Sequence, residues 1–148
     1  MKTTITILFI SLGIGFVHAQ EIPKRASQIF IHNNKTQGEN FIYVSKHLVS
    51  ENIEIEKRDQ SLGTITTAVY SPSKTNPIML MFFCQDSVIR ITGNFKLGMD
   101  INIGGVVAKD NLSKIENRGM KGSPFKKTFE AINNVAKSLS SESELTYK

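Results

Sequence analysis

The chain has 148 residues, with 18 Lys and Arg against 13 Asp and Glu for a net charge of +5, one Cys and no Trp. That length suits one domain with a substantial core of its own. A single Cys excludes an intramolecular disulfide framework, and a basic excess this small favours solubility and weak attraction to anionic surfaces over any strongly basic footprint.

The first nineteen residues, MKTTITILFISLGIGFVHA, have the order of a cleavable secretory signal. Lys2 supplies the positive start, Ile5 to Val17 the apolar stretch, and Val17-His18-Ala19 the cleavage pattern. The apolar stretch is short for a membrane-crossing helix, which needs about 20 residues; an uncleaved anchor is the alternative reading. Cleavage after Ala19 leaves Gln20 to Lys148 and lowers the net charge from +5 to +4, since Lys2 is the only charged residue removed. The expected location is therefore secreted or periplasmic. No Cys lies near the cleavage site to carry a lipid. In that setting a nucleic-acid partner is not expected; the candidates are a protein, a second copy of the chain, or a lipid or other anionic surface. A small secreted domain without disulfides must be held by its core.

Glu21 to Ala26, with Pro23, is a short polar lead expected to be flexible. Ser27 to His32 places Ile29 and Ile31 in alternation and is expected to be the first strand. After the turn Asn33-Asn34-Lys35, Thr36-Gln37-Gly38-Glu39 matches a capping box, in which the Thr hydroxyl and the Glu carboxylate each accept from the other residue's backbone N–H. Phe41, Ile42, Ser45, Leu48 and Val49 follow at helical spacing, with Asn40, Lys46, Ser50 and Glu51 largely opposite, so a helix is expected over about 37–51. Ile53 and Ile55 alternate with Glu54 and Glu56 as a second strand, and Thr64 to Tyr70 is a β-branched third strand joined to it through a turn at Gly63.

Ser71 to Pro77 is a loop, and Ile78-Met79-Leu80-Met81-Phe82-Phe83-Cys84 is the one continuous apolar run after the leader. Its length and its flanks favour a strand apolar on both faces. Val88 to Thr92 continues the sheet, Gly93 to Gly98 is expected to turn, and Met99, Ile101 and Ile103 mark a further strand with one wet face. Val106 to Gly122 carries few apolar anchors and suits a strand with a long loop. Ser123-Pro124 is an N-cap followed by Pro at the first helical position, and Phe125, Phe129, Ile132, Ala136 and Leu139 give a second helix over about 124–139. Residues 141–148 are expected to be a polar, frayed tail.

The expected fold class is α+β, one domain over 27–140, with an antiparallel-dominated sheet of about five to six strands and both helices packed on it. The order strand, helix, strands, helix resembles the TATA-box-binding-protein-like fold, β-α-β4-α, and in particular the small secreted bacterial domains of unknown function that share it. The likeness rests on Gln28-Ile29-Phe30-Ile31, on the helix ending His47-Leu48-Val49-Ser50, on Ile53 to Asp59, on Gly63 to Thr67 and on the helix Pro124 to Leu139. It is topological, covers most of the chain after the leader, and departs from the pattern over Val106 to Gly122. The family has no established catalytic residues, so the resemblance implies none.

Signs of chemistry are sparse. After the leader only His32 and His47 remain, far apart, and no metal-ligand spacing is present, so no metal or cofactor is expected. No nucleophile motif occurs, and Cys84 is expected to be a buried small hydrophobe, with a reactive thiol or an intermolecular bridge as the alternative. Glu54 and Glu56 share a strand face and suit a solvated edge; a hydrolase built on them is the least favoured function. The Gly104-Gly105 pair suits a sheet bend.

Lys114, Arg118, Lys121, Lys126 and Lys127 fall within fourteen residues, opposed by Glu116, and suggest an anion-attracting patch at the start of the second helix. The apolar run is the least ordinary feature. Met79, Met81 and Phe83 lie on one face and Leu80 and Phe82 on the other, and helices on one side of a sheet leave the other to be covered. The expected function is a non-enzymatic binding domain that uses Met79, Met81 and Phe83 toward a protein partner or a second copy, with Lys121, Lys126 and Lys127 as a further contact. The alternative is a carrier for a small hydrophobic ligand or lipid.

Overall fold

The computed structural model describes residues 21–72, 75–97, 102–103, 106–107, 112–141 and 143–148. The leader, its cleavage site, the Gly104-Gly105 pair and most of the strand expected at Met99 to Ile103 lie outside the described residues.

The protein is α+β, and its described residues form one seven-stranded antiparallel sheet, a two-stranded ribbon and two long helices. The elements in chain order are β1 (Ile29–His32), α1 (Gln37–Ser50), β2 (Ile55–Asp59), β3 (Thr64–Thr67), β4 (Ile78–Gln85), β5 (Val88–Lys96), β6 (Asn102–Ile103), β7 (Val106–Val107), β8 (Leu112–Lys114), α2 (Pro124–Ser140) and β9 (Glu144–Tyr147). The sheet order is β2-β3-β4-β5-β1-β9, and β6 pairs with β7 as a separate two-stranded ribbon. Strand β5 pairs with β4 along one edge; its other edge takes β1 over Val88–Ile91 and β8 over Asn94–Lys96.

Both helices lie on one face. In β4 the residues Ile78, Leu80, Phe82 and Cys84 are buried, and their cross-strand partners in β5 are Phe95, Gly93, Ile91 and Ile89. Ile29 and Ile31 of β1 continue this face, and α1 contacts β4 while α2 contacts β1, β5 and β9. Phe41, Val44 and Leu48 of α1 and Phe129, Ile132, Ala136 and Leu139 of α2 complete one core. The helices also meet each other: the Tyr43 hydroxyl donates to the Leu139 carbonyl at 2.9 Å, and His47 Nε2 lies 3.0 Å from Ser138 Oγ.

The caps act as the residues require. Glu39 N–H donates to Thr36 Oγ1, and Thr36 N–H donates to the Glu39 carboxylate at 2.8 Å. The Thr36 N–H and then the Thr36 hydroxyl, both donating to the Glu39 carboxylate, favour its ionised form and hold Glu39 below its ordinary value. Ser123 Oγ accepts from Lys126 N–H at the start of α2.

Several expectations are corrected. The buried face of α1 is rotated: Ile42 and Val49 are exposed, and Asn40, expected on the wet side, is fully buried. Asn40 is satisfied there, with Nδ2 donating to the Gln85 carbonyl at 2.8 Å and Oδ1 accepting from Asn33 at 2.9 Å, so it ties α1 to the β4–β5 hairpin. Ile53 is buried ahead of β2, which begins at Ile55 and carries an irregularity between Ile55 and Lys57 that leaves Glu56 exposed beside Glu54. Strand β5 runs through Gly93 to Lys96, where a turn was expected.

The sheet has seven strands rather than five to six, partly because 144–147 is strand β9 and not a frayed tail. Ile29 pairs with Tyr147 and Ile31 with Leu145, so two residues of an otherwise polar segment reach the core, and pairing with β1 supplies the backbone bonds. The polar lead is also tied down. Arg25 N–H donates to the Asn117 carbonyl, Asn117 N–H donates to the Ala26 carbonyl, and Ala26 is buried.

Candidate functional site

Because side chains alternate along a strand, the residues of β4 and β5 that avoid the helices all point to the opposite face. Neither helix lies over that face. Register places Thr64, Phe83, Arg90, Phe30 and Thr146 in one row across β3, β4, β5, β1 and β9. Thr66, Met81 and Thr92 form the next row, and Met79, Asn94 and Lys114 the third. Met79, Met81 and Phe83 are all half-buried, flanked by neighbours within the sheet, and among the described residues neither helix packs on them. The structure thus brings the three apolar residues singled out in the sequence onto one surface.

Two aromatic residues of this face carry cations. The Arg90 guanidinium carbon lies 4.1 Å from the Phe83 ring centroid, and the Lys148 ammonium lies 5.2 Å from that of Phe30. Such contacts draw the cation over the electron-rich ring face. Arg90 is fixed between the two rings by its register, and its Nε is buried without a hydrogen-bond partner among the described residues. A buried donor left unpaired costs about 1–3 kcal/mol. By strand position Lys57, Lys96 and Lys114 also belong to this face, with Asp59 and Glu144 as carboxylates. His32 stands at its margin, with Nε2 2.9 Å from Thr146 Oγ1.

The sequence had not singled out Phe30, Arg90 or Lys148. Alternation alone told which residues of β1 share a face, but only the pairing of β1 with β5 sets Phe30 beside Arg90.

The predicted lysines are elsewhere. Lys126 and Lys127 start α2 and belong to the helix layer, and Lys121 is exposed in the turn before it. Lys126 Nζ donates to Asn117 Oδ1 at 2.6 Å. Lys127 borders a groove of about 520 Å³ between α2 and the β3–β4 connection, whose apolar wall includes Ile53, Tyr70 and Val135. Burial pushes the Tyr70 hydroxyl up to about 12, and among the described residues it has no hydrogen-bond partner. The two surfaces expected to act together therefore lie in different layers.

Cys84 is buried on the helix face, and burial raises its thiol to about 12, which favours the protonated form over the nucleophilic thiolate. Among the described residues no cluster of three or more His, Cys, Asp or Glu is placed to hold a metal ion. Compared with known proteins, the chain matches no family model and no curated protein.

Proposed function

We propose that this is a secreted, non-enzymatic binding domain whose open sheet face, centred on Met81, Phe83 and Arg90, receives an acidic, partly apolar protein segment. The observation that carries the reading is the row Phe83–Arg90–Phe30, in which a cation held over an aromatic ring keeps a buried, unpaired donor. Apolar Met79 and Met81 beside it supply adaptable contact area. Among the described residues the charges on the face favour an acidic occupant: Lys57, Arg90, Lys114 and Lys148 outnumber Asp59 and Glu144. The same excess opposes stacking of two copies face to face, since like charges would meet.

Selection of a random displayed peptide library against the purified protein tests this. The expected result is enrichment of sequences that combine Asp or Glu with apolar residues, with binding lost in Phe83→Ala and Arg90→Gln and retained in Lys127→Ala on the other layer. Failure to enrich, or peptides indifferent to Phe83 and Arg90, would overturn the reading. A second reading, a carrier of a small hydrophobic ligand, draws support from the groove at Tyr70 and Val135. Native mass spectrometry of the same preparation distinguishes it by a co-purifying adduct that Val135→Arg removes.

A further inference from the structure

We propose that a cationic cleft between the N-terminal lead and the β8–α2 connection is a binding site for a phosphate group, carried by a soluble molecule or by a lipid headgroup. It lies at the start of α2, in the helix layer, and is independent of the open sheet face. The cleft has a volume of about 490 Å³, and among the described residues Lys24, Arg25, Arg118 and Lys126 line it against one acid, Glu21.

The cleft is built from two segments far apart in sequence. Asn117 joins them: its Nδ2 donates to the carbonyls of Ile22 and Pro23 at 3.2 and 2.8 Å, and its backbone bonds with Arg25 and Ala26 lie on either side. Asn117 itself is buried and fully engaged, since its Oδ1 accepts from Lys126 Nζ. The lead is thereby held where its two cations face those of the connection.

The cations are also oriented. Arg118 stacks on the Phe125 ring, with its guanidinium carbon 3.7 Å from the centroid, and Phe125 is braced edge-on against buried Phe95. Glu116 answers Arg118 in part, with Oε2 3.5 Å from Nε. Arg25 stands at φ 66, a left-handed conformation unusual for Arg. Among the described residues Glu21 is the one carboxylate that lines the cleft and Glu116 pairs with Arg118 from beside it, so four positive charges meet two negative ones. A concave site concentrates the field of its charges, and a dianionic group would neutralise it. Arg forks match the oxygens of a phosphate in pairs while Lys adds point charge, so two Arg with two Lys favour a phosphate over a single carboxylate.

The test is titration of the purified, isotope-labelled protein with inorganic phosphate at low ionic strength, followed by amide shifts. Saturable shifts confined to Ile22–Ala26 and Asn117–Lys127 are expected. Arg118→Gln is expected to weaken binding about fivefold, the upper range for one exposed charge contact. Lys126→Gln removes a bond to the residue that frames the cleft and can disturb the fold, so Arg25→Gly is the second variant. Gly accepts the left-handed backbone without strain, so it removes charge while keeping the architecture, and it too should weaken binding.

Vesicles of phosphatidylglycerol in phosphatidylcholine separate the two sources. Cosedimentation abolished by Arg118→Gln and Arg25→Gly assigns a lipid headgroup; phosphate binding without cosedimentation assigns a soluble ligand. Shifts spread over lysines throughout the chain, no saturation, or affinity unchanged in both variants would overturn the proposal.

Discussion

Gly93 sits in the middle of β5, on the buried face, opposite Leu80. An added Cβ there would stand 2.9 Å from Ile115 Cδ1, 2.9 Å from the Met79 carbonyl oxygen and 3.0 Å from Leu80 Cδ2. One of these neighbours is backbone in a paired strand and cannot retreat cheaply. Relief of backbone entropy would otherwise make Ala better than Gly within a strand by roughly 0.5–1 kcal/mol, whereas overpacking of a filled core costs about 1–3 kcal/mol. The balance predicts that Gly93→Ala destabilises by about 1–2 kcal/mol, lowering the melting temperature by roughly 4–8 °C.

Ile115→Val removes the Cδ1 atom that Cβ would strike. Alone it should cost about 1 kcal/mol, and in the Gly93→Ala background appreciably less, so that the pair couples by at least about 0.5 kcal/mol. Urea unfolding followed by far-ultraviolet circular dichroism is the suitable assay, because the chain has no Trp to report by fluorescence. A stabilising Gly93→Ala, or strictly additive effects, would refute the close approach of β4, β5 and Ile115 over this position.

Two further predictions follow from which face a side chain occupies. Phe82→Ala, on the helix face, should cost about 3–5 kcal/mol, whereas its neighbour Phe83→Ala, half-buried on the open face, should cost about 1–2 kcal/mol; equal losses in urea unfolding would mean that the faces are misassigned. Cys84 and Tyr70 predict alkaline sensitivity. Burial raises Cys84 from its ordinary 9.0 to about 12, and Tyr70 from 10.0 to about 12, so each contributes stability that is present below its ordinary value and lost as pH rises toward the folded one. The urea midpoint should therefore fall above pH 9.0 in the native sequence, and Cys84→Val should delay the fall until Tyr70 begins to titrate near 10.0; superimposable curves would contradict the buried thiol.

Much of the architecture was legible because it is local. A capping box at Thr36 and Glu39 and a Ser-Pro start at 123–124 place helix beginnings within a few residues, since the groups that satisfy the free N–H atoms are sequence neighbours. Alternation in β4 separated Met79, Met81 and Phe83 from Leu80 and Phe82 because strand side chains change face at every residue. What misled was also local. Gly93 looked like a turn residue, yet it is a strand residue because Leu80 and Ile115 fill the space a side chain would take. Asn40 looked solvent-facing, yet a carbonyl from the β4–β5 hairpin and an amide from Asn33 make its burial tolerable. The tail at 144–147 looked too polar to order, yet β1 offers it an unpaired edge.

The candidate sites were legible only in part, for the same reason. Residue type and strand phase determined that Met79, Met81 and Phe83 would share a surface, and composition determined that cations would gather before α2. Tertiary structure alone decided that both helices lie on the opposite face, that Phe30 and Phe83 flank Arg90, and that Lys24 and Arg25 meet Arg118 and Lys126 across Asn117. Those juxtapositions depend on strand order and on hydrogen bonds between segments some ninety residues apart. Periodicity records how a residue faces its own element; it carries nothing about which distant element completes the contact.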